Sequence, residues 1–323
     1  MIFIVVPIFN TSKYLKCCLD SIRNQSYTEW KCFLINDGST DASAEICLNY
    51  ESEDSRFTYV FQNNQGLSAA RNSGIECAMK YSIGGGQGSY ICFIDSDDYV
   101  ERDYLKKLVE PYFQNKKIDL TICNYFNDNH PKLNGFVSKQ NENSNIRNRI
   151  ETMREFANPR SFKGFAWNKL YRLDIIEFNN LRYDVDCVLV EDALFNHQYM
   201  SNCSVSYYID DPLYHYITRN DSLTNQSFKE KNWDLLKSYK KIMDFCEKQK
   251  DGMLTSLLRE NYLSHEITIL KKINLSKTPV DKDKKMLLKS KVRESLKDIL
   301  LAQNISLKRK GLAVYLAYFA KGV

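Results

Sequence analysis

With 323 residues, 43% of them hydrophobic and 26% charged, the chain can bury a substantial core, as one large domain or a domain with an appendage. No apolar run approaches the roughly 18 residues that a membrane-spanning helix needs, and ten cysteines without a C-x-x-C pair argue against a disulfide framework or a zinc site. The net charge of +5 hides a split: residues 1 to 225 carry 23 Lys and Arg against 29 Asp and Glu, residues 226 to 323 carry 22 against 11.

The opening MIFIVVPIF has no basic leader and reads as an N-terminal strand, not a signal peptide. Its β-branched run is that of a parallel strand buried on both faces. A helix follows, with Thr11 or Ser12 as its cap and Leu15, Leu19 and Ile22 at helical spacing. WKCFLIND, FTYVFQ and SYICFIDSDD read as further strands, separated by helices in DASAEICLNYES and SAARNSGIECAMKYS. Strand and helix alternating at this pitch predict a mostly parallel α/β sheet, which binds ligands at the carboxyl ends of its strands. The glycine-rich SIGGGQGS follows a helix and precedes a strand, the reverse of a phosphate loop, and reads as a surface connection. Residues 127 to 149 are polar and asparagine-rich and read as a loop or irregular hairpin. From about residue 226 the periodicity is helical.

Four polar clusters fall behind apolar runs. Asp37, in NDGSTD, belongs either to a turn and helix cap or to a site where it accepts a hydrogen bond from a ligand ring nitrogen. Arg71, in NNQGLSAARNSG, lies on the first turn of a helix and is either a surface arginine or an anion clamp. Asp95 and Asp97 flank Ser96 and leave an extended chain on one face, where two converging carboxylates call for a divalent cation or a partner. Oxygen-only ligation suits Mg²⁺ or Mn²⁺. Glu191 and Asp192 end an apolar run and start a helix; Asp192 either complements the helix N-terminus or serves as a general base.

Taken in order, PIFNTSKYLKCCLDSIRNQSYTEWKCFLINDGSTDAS, NQGLSAARNSG, CFIDSDD and VEDALF resemble the family 2 glycosyltransferases over about residues 1 to 225. The resemblance implies an α/β fold of the GT-A (Rossmann-like) type over residues 1 to 225, its mostly parallel sheet flanked by helices, ahead of the helical C-terminal region at 226 to 323. It implies an inverting, metal-dependent transferase that moves a hexose or N-acetylhexosamine from a UDP-sugar. The acceptor would be a hydroxyl of a glycan or lipid-linked glycan, as in surface polysaccharide synthesis, and the cofactor Mn²⁺ or Mg²⁺. Carried over by position, Pro7 and Phe9 would hold the uracil, Asp37 its N3 hydrogen, and Arg71 the base or diphosphate. Asp95 and Ser96 would meet the ribose side of the donor, Asp97 the metal, and Asp192 would be the base, with Glu191 supporting it or the acceptor. Trp167 to Tyr171 resembles a segment near the acceptor, or is plain core. Tyr214 to Ser222 resembles the family's C-terminal active-site loop, in which His215 would reach the metal and Arg219 the diphosphate.

Two rivals from other classes are weaker. A nucleotidyltransferase would carry a glycine-rich, arginine-bearing loop after its first strand, where this chain reads PIFNTSKYL. A non-catalytic nucleotide-sugar-binding protein would have no need of Asp37, Arg71, Asp97 and Asp192 together. The closing ISLKRKGLAVYLAYFAKGV, with Lys308, Arg309 and Lys310 ahead of an apolar stretch, suits an anionic membrane interface or a terminal helix docked on the catalytic domain. The former would place the protein in the cytoplasm, peripheral at the inner face of the cell membrane. The basic helices lack a nucleic-acid reader motif, and no nucleic-acid partner is expected.

Overall fold

A computed structural model describes residues 1–82, 88–128, 145–159, 161–187, 189–218, 228, 230, 232–276 and 280–320. The glycine-rich connection at 83–87, most of the asparagine-rich stretch, and Arg219 lie outside the described residues. The chain divides into two compact units, Met1–Val185 with Glu191–Arg219, and Asp186–Val190 with Asn220–Val323.

The first unit opens with β1 (Ile2–Ile8), α1 (Ser12–Arg23), β2 (Trp30–Asp37), α2 (Ser43–Glu53), β3 (Phe57–Gln62), α3 (Leu67–Tyr81) and β4 (Tyr90–Phe93). It continues through β5 (Tyr99–Val100), α4 (Tyr104–Gln114), β6 (Leu120–Asn127), β7 (Ile146–Asn148) and α5 (Arg149–Ala157). β8 (Lys169–Arg172), α6 (Leu173–Phe178), α7 (Glu191–Ser201) and β9 (Val205–Tyr216) complete it. The strands form one sheet in the order β3-β2-β1-β4-β8-β6-β9-β5, with β7 also paired to β9. The long ladders, β1 with β2 and β4, β2 with β3, and β6 with β9, are parallel, while the shorter pairings through β8, β5 and β7 are antiparallel. Every residue of β1 is buried, as its β-branched run requires of a central strand covered on both faces.

Two close approaches fix the helices that carry the site. A Cβ on Gly74 of α3 would lie 2.2 Å from Cγ1 of Val5, so only glycine lets α3 rest directly on β1. Ahead of the same helix, Gly66 adopts φ +91°, and the amide N–H groups of Gln65 and Gly66 donate to Asp37 at the end of β2, each at 2.8 Å. α3 is therefore held at its start by a neighbouring strand and not by a side-chain cap of its own. α1 is begun the same way: the Ser12 N–H donates to Asp41 at 3.0 Å, while the Thr11 hydroxyl donates to Ser96 instead of capping.

The fourth strand is shorter than its sequence suggests. It stops at Phe93, and the Asp98 N–H donates to the Asp95 carbonyl at 3.0 Å, closing a turn over Asp95 to Asp98. Asp and Ser compete with a ladder for local hydrogen bonds, and here the turn prevails. Asp95 and Asp97 thus stand on a turn and not on alternate positions of an extended chain.

The second unit contains α8 (Asn232–Glu247), α9 (Gly252–Leu275), α10 (Lys282–Glu294), α11 (Leu296–Leu301) and α12 (Leu307–Tyr318). Its core joins Leu263, Ile267 and Leu270 of α9, Leu288 and Val292 of α10, Ile299 of α11, and Ala313, Leu316 and Ala317 of α12. No helix among the described residues is long and apolar enough to cross a membrane.

Candidate active site

Parallel strands β1, β2 and β4 end side by side, and their carboxyl ends carry Phe9, Asp37 and the Asp95 to Asp98 turn. Pro7 is buried within β1, and Phe9, the first residue beyond that strand, is 48% exposed. Asp37 is buried and heavily engaged: Oδ1 accepts from Gln62 Nε2 at 2.7 Å and from the Gln65 N–H, and Oδ2 from the Gly66 N–H. A carboxylate offers about four lone-pair positions, so three of those on Asp37 are already taken, two by the turn into α3 and one by Gln62 at the end of β3.

Arg71 is the centre of the cluster. Its side chain is 1% exposed, and its guanidinium reaches three carboxylates: Nη1 to Asp192 Oδ1 at 2.6 Å and to Glu191 Oε1 at 3.4 Å, Nη2 to Asp95 Oδ1 at 3.0 Å. The Tyr183 ring lies over it at 5.3 Å. The fold thus joins residues 24 and 121 positions apart in the chain, and Arg71, Asp95, Glu191 and Asp192 form one ion network. Nη1 and Nη2 of Arg71 thus face carboxylates of the chain itself, while the buried Nε has no hydrogen-bond partner among the described residues.

Asp192 sits on the first turn of α7. Arg71 holds its Oδ1, and the Ala166 N–H donates to its Oδ2 at 3.1 Å. Burial pushes the Asp192 carboxyl up to about 7; Arg71 opposes the shift, while Glu191 and Asp95 reinforce it. A carboxylate held on both oxygens, with its proton affinity moved to neutrality, is equipped to take a proton from a hydroxyl.

The Asp95 to Asp98 turn is tied to the end of β9. The Asp98 side chain, 2% exposed, accepts from the Tyr214 hydroxyl and from the Ile217 N–H, both at 2.7 Å. The Tyr214 hydroxyl lies 3.1 Å from the Asp95 N–H, which donates to it. Burial raises the Asp98 carboxyl well above the ordinary range, Asp97 and Asp95 add to the shift, and the two hydrogen bonds oppose it. Ser96 is buried beneath the turn, its Oγ accepting from Thr11 at 2.9 Å.

His215 stands apart from the Arg71 network. Its ring is stacked between Tyr99 and Phe126, with centroids at 4.1 and 4.6 Å. Its nitrogens meet Asp128 at 3.0 Å and Glu101 at 2.8 Å. Both ring nitrogens are therefore engaged by carboxylates other than Asp97.

Among the described residues no three His, Cys, Asp or Glu side chains converge as a cation cage. Mg²⁺ and Mn²⁺ at diphosphate sites need no such cage, since one or two carboxylates and the phosphate oxygens share the coordination. The donor set fits such an ion. Asp97 supplies hard oxygen on an acidic turn, beside Asp95 and Asp98.

Two further residues of the site have no individual signal in the sequence: Lys169, which stands within the Trp167 to Tyr171 segment and is buried, and Asn196 on α7.

The sequence matches the family described as Glycosyl transferase family 2 over residues 3–176. EpsH of Bacillus subtilis (strain 168) is 34% identical over 264 residues, covering 75% of this chain and 72% of EpsH. The minor teichoic acid biosynthesis protein GgaB of the same strain is 25% identical over 331 residues, 98% of this chain but 34% of GgaB, so the chain spans about a third of that protein. The structure of S. aureus TarS 1-349 in complex with UDP-GlcNAc shares the fold, with a TM-score of 0.64 at 16% identity over 98% of this chain and 86% of the TarS chain. The chain belongs to glycosyl transferase family 2. Its first unit has the GT-A fold, and its class of enzyme is glycosyltransferase.

Proposed function

We propose that the chain transfers a hexose or N-acetylhexosamine from a UDP-sugar to a hydroxyl of a glycan or lipid-linked glycan, with inversion and with Mn²⁺ or Mg²⁺ as cofactor. The observation that carries this reading is Asp192, gripped on both oxygens by Arg71 and the Ala166 N–H and titrating near neutrality.

In this reading Phe9 and Pro7 take the uracil, and the remaining acceptor position of Asp37 takes its N3 hydrogen. Asp95 and Ser96 meet the ribose side of the donor. Asp97 would hold a divalent cation, with His215 as a further ligand, and such an ion would supply positive charge against the departing diphosphate; Arg219 is assigned to the diphosphate by the family resemblance alone. Arg71 adds a positive field beside that leaving group while Nη1 and Nη2 hold the carboxylates. Asp192 accepts the proton of the acceptor hydroxyl as its oxygen attacks the anomeric carbon from the face opposite the nucleotide, a contribution of roughly 10² to 10⁴ in rate. Glu191 supports the base or the acceptor. The UDP-GlcNAc bound to TarS and the teichoic acid role of GgaB favour a UDP-sugar and a surface polymer. The basic turn and exposed apolar side chains of α12 support a peripheral position at an anionic membrane surface on the cytoplasmic side, where a lipid-linked acceptor would be met. Residues 1 to 225 are read as the catalytic domain and 226 to 323 as the helical region that serves this surface.

The test is hydrolysis of a panel of UDP-sugars by the whole chain, with Mn²⁺ and with EDTA. Turnover of one UDP-sugar that EDTA abolishes is expected. No turnover together with no UDP binding under any condition contradicts the reading.

A further inference from the structure

Lys169, at the start of β8, is 0% exposed, and its ammonium makes three hydrogen bonds. Nζ donates to the carbonyl of Lys163 at 3.1 Å, to the carbonyl of Phe165 at 2.6 Å and to Asn168 Oδ1 at 2.8 Å. An ammonium has three donors, so all are used within one short loop. The rings of Phe156 and Phe162 flank Nζ at 5.1 and 6.0 Å.

That loop lies on the first turn of α7. A Cβ on Gly164 would meet Ala193 Cα at 3.0 Å, so the backbone is in contact with the residue next to Asp192. Lys163 is held at φ +55°, a conformation that non-glycine residues adopt only when their surroundings impose it. Asn196, one turn along α7, grips the loop from the other side: its Nδ2 donates to the carbonyls of Gly164 at 3.0 Å, Phe165 at 3.2 Å and Asp192 at 2.8 Å. The loop's remaining offering is the Ala166 N–H, which donates to Asp192 Oδ2.

We propose that Lys169 is the positioning residue for the base: by tying the 163 and 165 carbonyls it sets the Ala166 N–H on Asp192 Oδ2, and its ammonium, while protonated, adds positive charge to the surroundings of the carboxylate. The inference rests on the reading of Asp192 as base. A hydrophobic residue in this place fills the space but takes the ammonium's donor from the Lys163 carbonyl and leaves the Phe165 carbonyl with Asn196 alone, which loosens the loop that carries the Ala166 N–H. The ammonium also matters as charge, because burial lowers the Lys169 affinity for its proton to about 7 while Asp192 raises it, so the two groups are electrostatically linked. The groups facing Asp192 from the elements around it are Arg71 on α3, Asp95 on the turn after β4, Lys169 and Tyr171 on β8, Tyr183, and Glu191 on α7 itself. Of these, Arg71 and Lys169 are the cations.

The experiment compares wild type, Lys169→Gln, Gly164→Ala and Asp192→Asn in transfer assays with a UDP-sugar, reading kcat, donor KM and the acid limb of the pH-rate profile. Lys169→Gln is expected to lower kcat by about 10²-fold, the scale of a misplaced catalytic group, with donor KM unchanged and the acid limb moved to higher pH, as loss of a cation favours the neutral acid. Gly164→Ala, which lifts the loop from Ala193 without altering charge, is expected to lower kcat likewise and decides the matter if Lys169→Gln does not fold. A purely structural lysine lowers thermal stability in Lys169→Gln but leaves the pH profile of the folded fraction in place, and wild-type kcat in Gly164→Ala excludes the loop as a clamp. Either result overturns the proposal while Asp192→Asn remains inactive. Transfer retained by Asp192→Asn would instead remove the base assignment beneath it.

Discussion

Asp192 combines two features that seldom meet on an exposed aspartate: a guanidinium partner at 2.6 Å and a proton affinity near neutrality. The guanidinium alone would depress the carboxyl, but burial outweighs it, aided by Glu191 and Asp95. Only the carboxylate form can act as base, so the active fraction of free enzyme falls tenfold for each pH unit below the pKa. The predicted kcat/KM therefore rises with pH up to about 7 and levels above it. An acid limb near 4, where an ordinary aspartate titrates, would contradict the geometry of this site. The sequence alone identified Asp192, Arg71 and Asp95 as chemistry-bearing residues, each by its place behind an apolar run. It did not reveal that Arg71 would pair with the other two, because that pairing depends on how α3, the end of β4 and α7 are juxtaposed. For the same reason it assigned His215 a role without its partners Glu101 and Asp128, which come from the segments flanking β5 and following β6.

At the level of elements, alternation of β-branched runs with amphipathic segments made the parallel half of the sheet readable. Less readable were the ends. Strand β4 yields to a turn at Asp95, and α3 is started by a carboxylate from β2, contacts that no local pattern encodes. The terminal helix α12 was read as either docked or membrane-facing, and it has features of both. Ala313, Leu316 and Ala317 pack into the helical unit, while Leu307, Tyr315, Tyr318 and, just past its end, Phe319 are exposed. At 100° per residue these exposed side chains span an arc of about 120°, with Lys308, Arg309 and Lys310 at the N-terminal turn. An apolar arc beside a basic turn suits an anionic lipid interface. Replacing Tyr315 and Phe319 by Ser, which leaves the buried face intact, is predicted to cut co-sedimentation with phosphatidylglycerol vesicles severalfold relative to neutral vesicles. Unchanged sedimentation would count against α12 as the membrane element.

The whole chain carries an acidic α/β unit and a basic helical one, classes that charge and periodicity indicate, whereas the GT-A type enters only through the family resemblance. Family membership follows from the match over residues 3–176 and from EpsH, whereas donor and acceptor depend on loop geometry that one sequence does not encode. The central claim is that Asp192 performs the chemistry and leaves the donor to Phe9, Asp37 and the Asp95 to Asp98 turn. It is tested most directly by measuring UDP affinity and sugar transfer side by side in wild type and Asp192→Asn. The account predicts UDP affinity within about twofold of wild type and transfer reduced by roughly 10² or more. Transfer at the wild-type rate, or loss of UDP binding in step with loss of transfer, would contradict it.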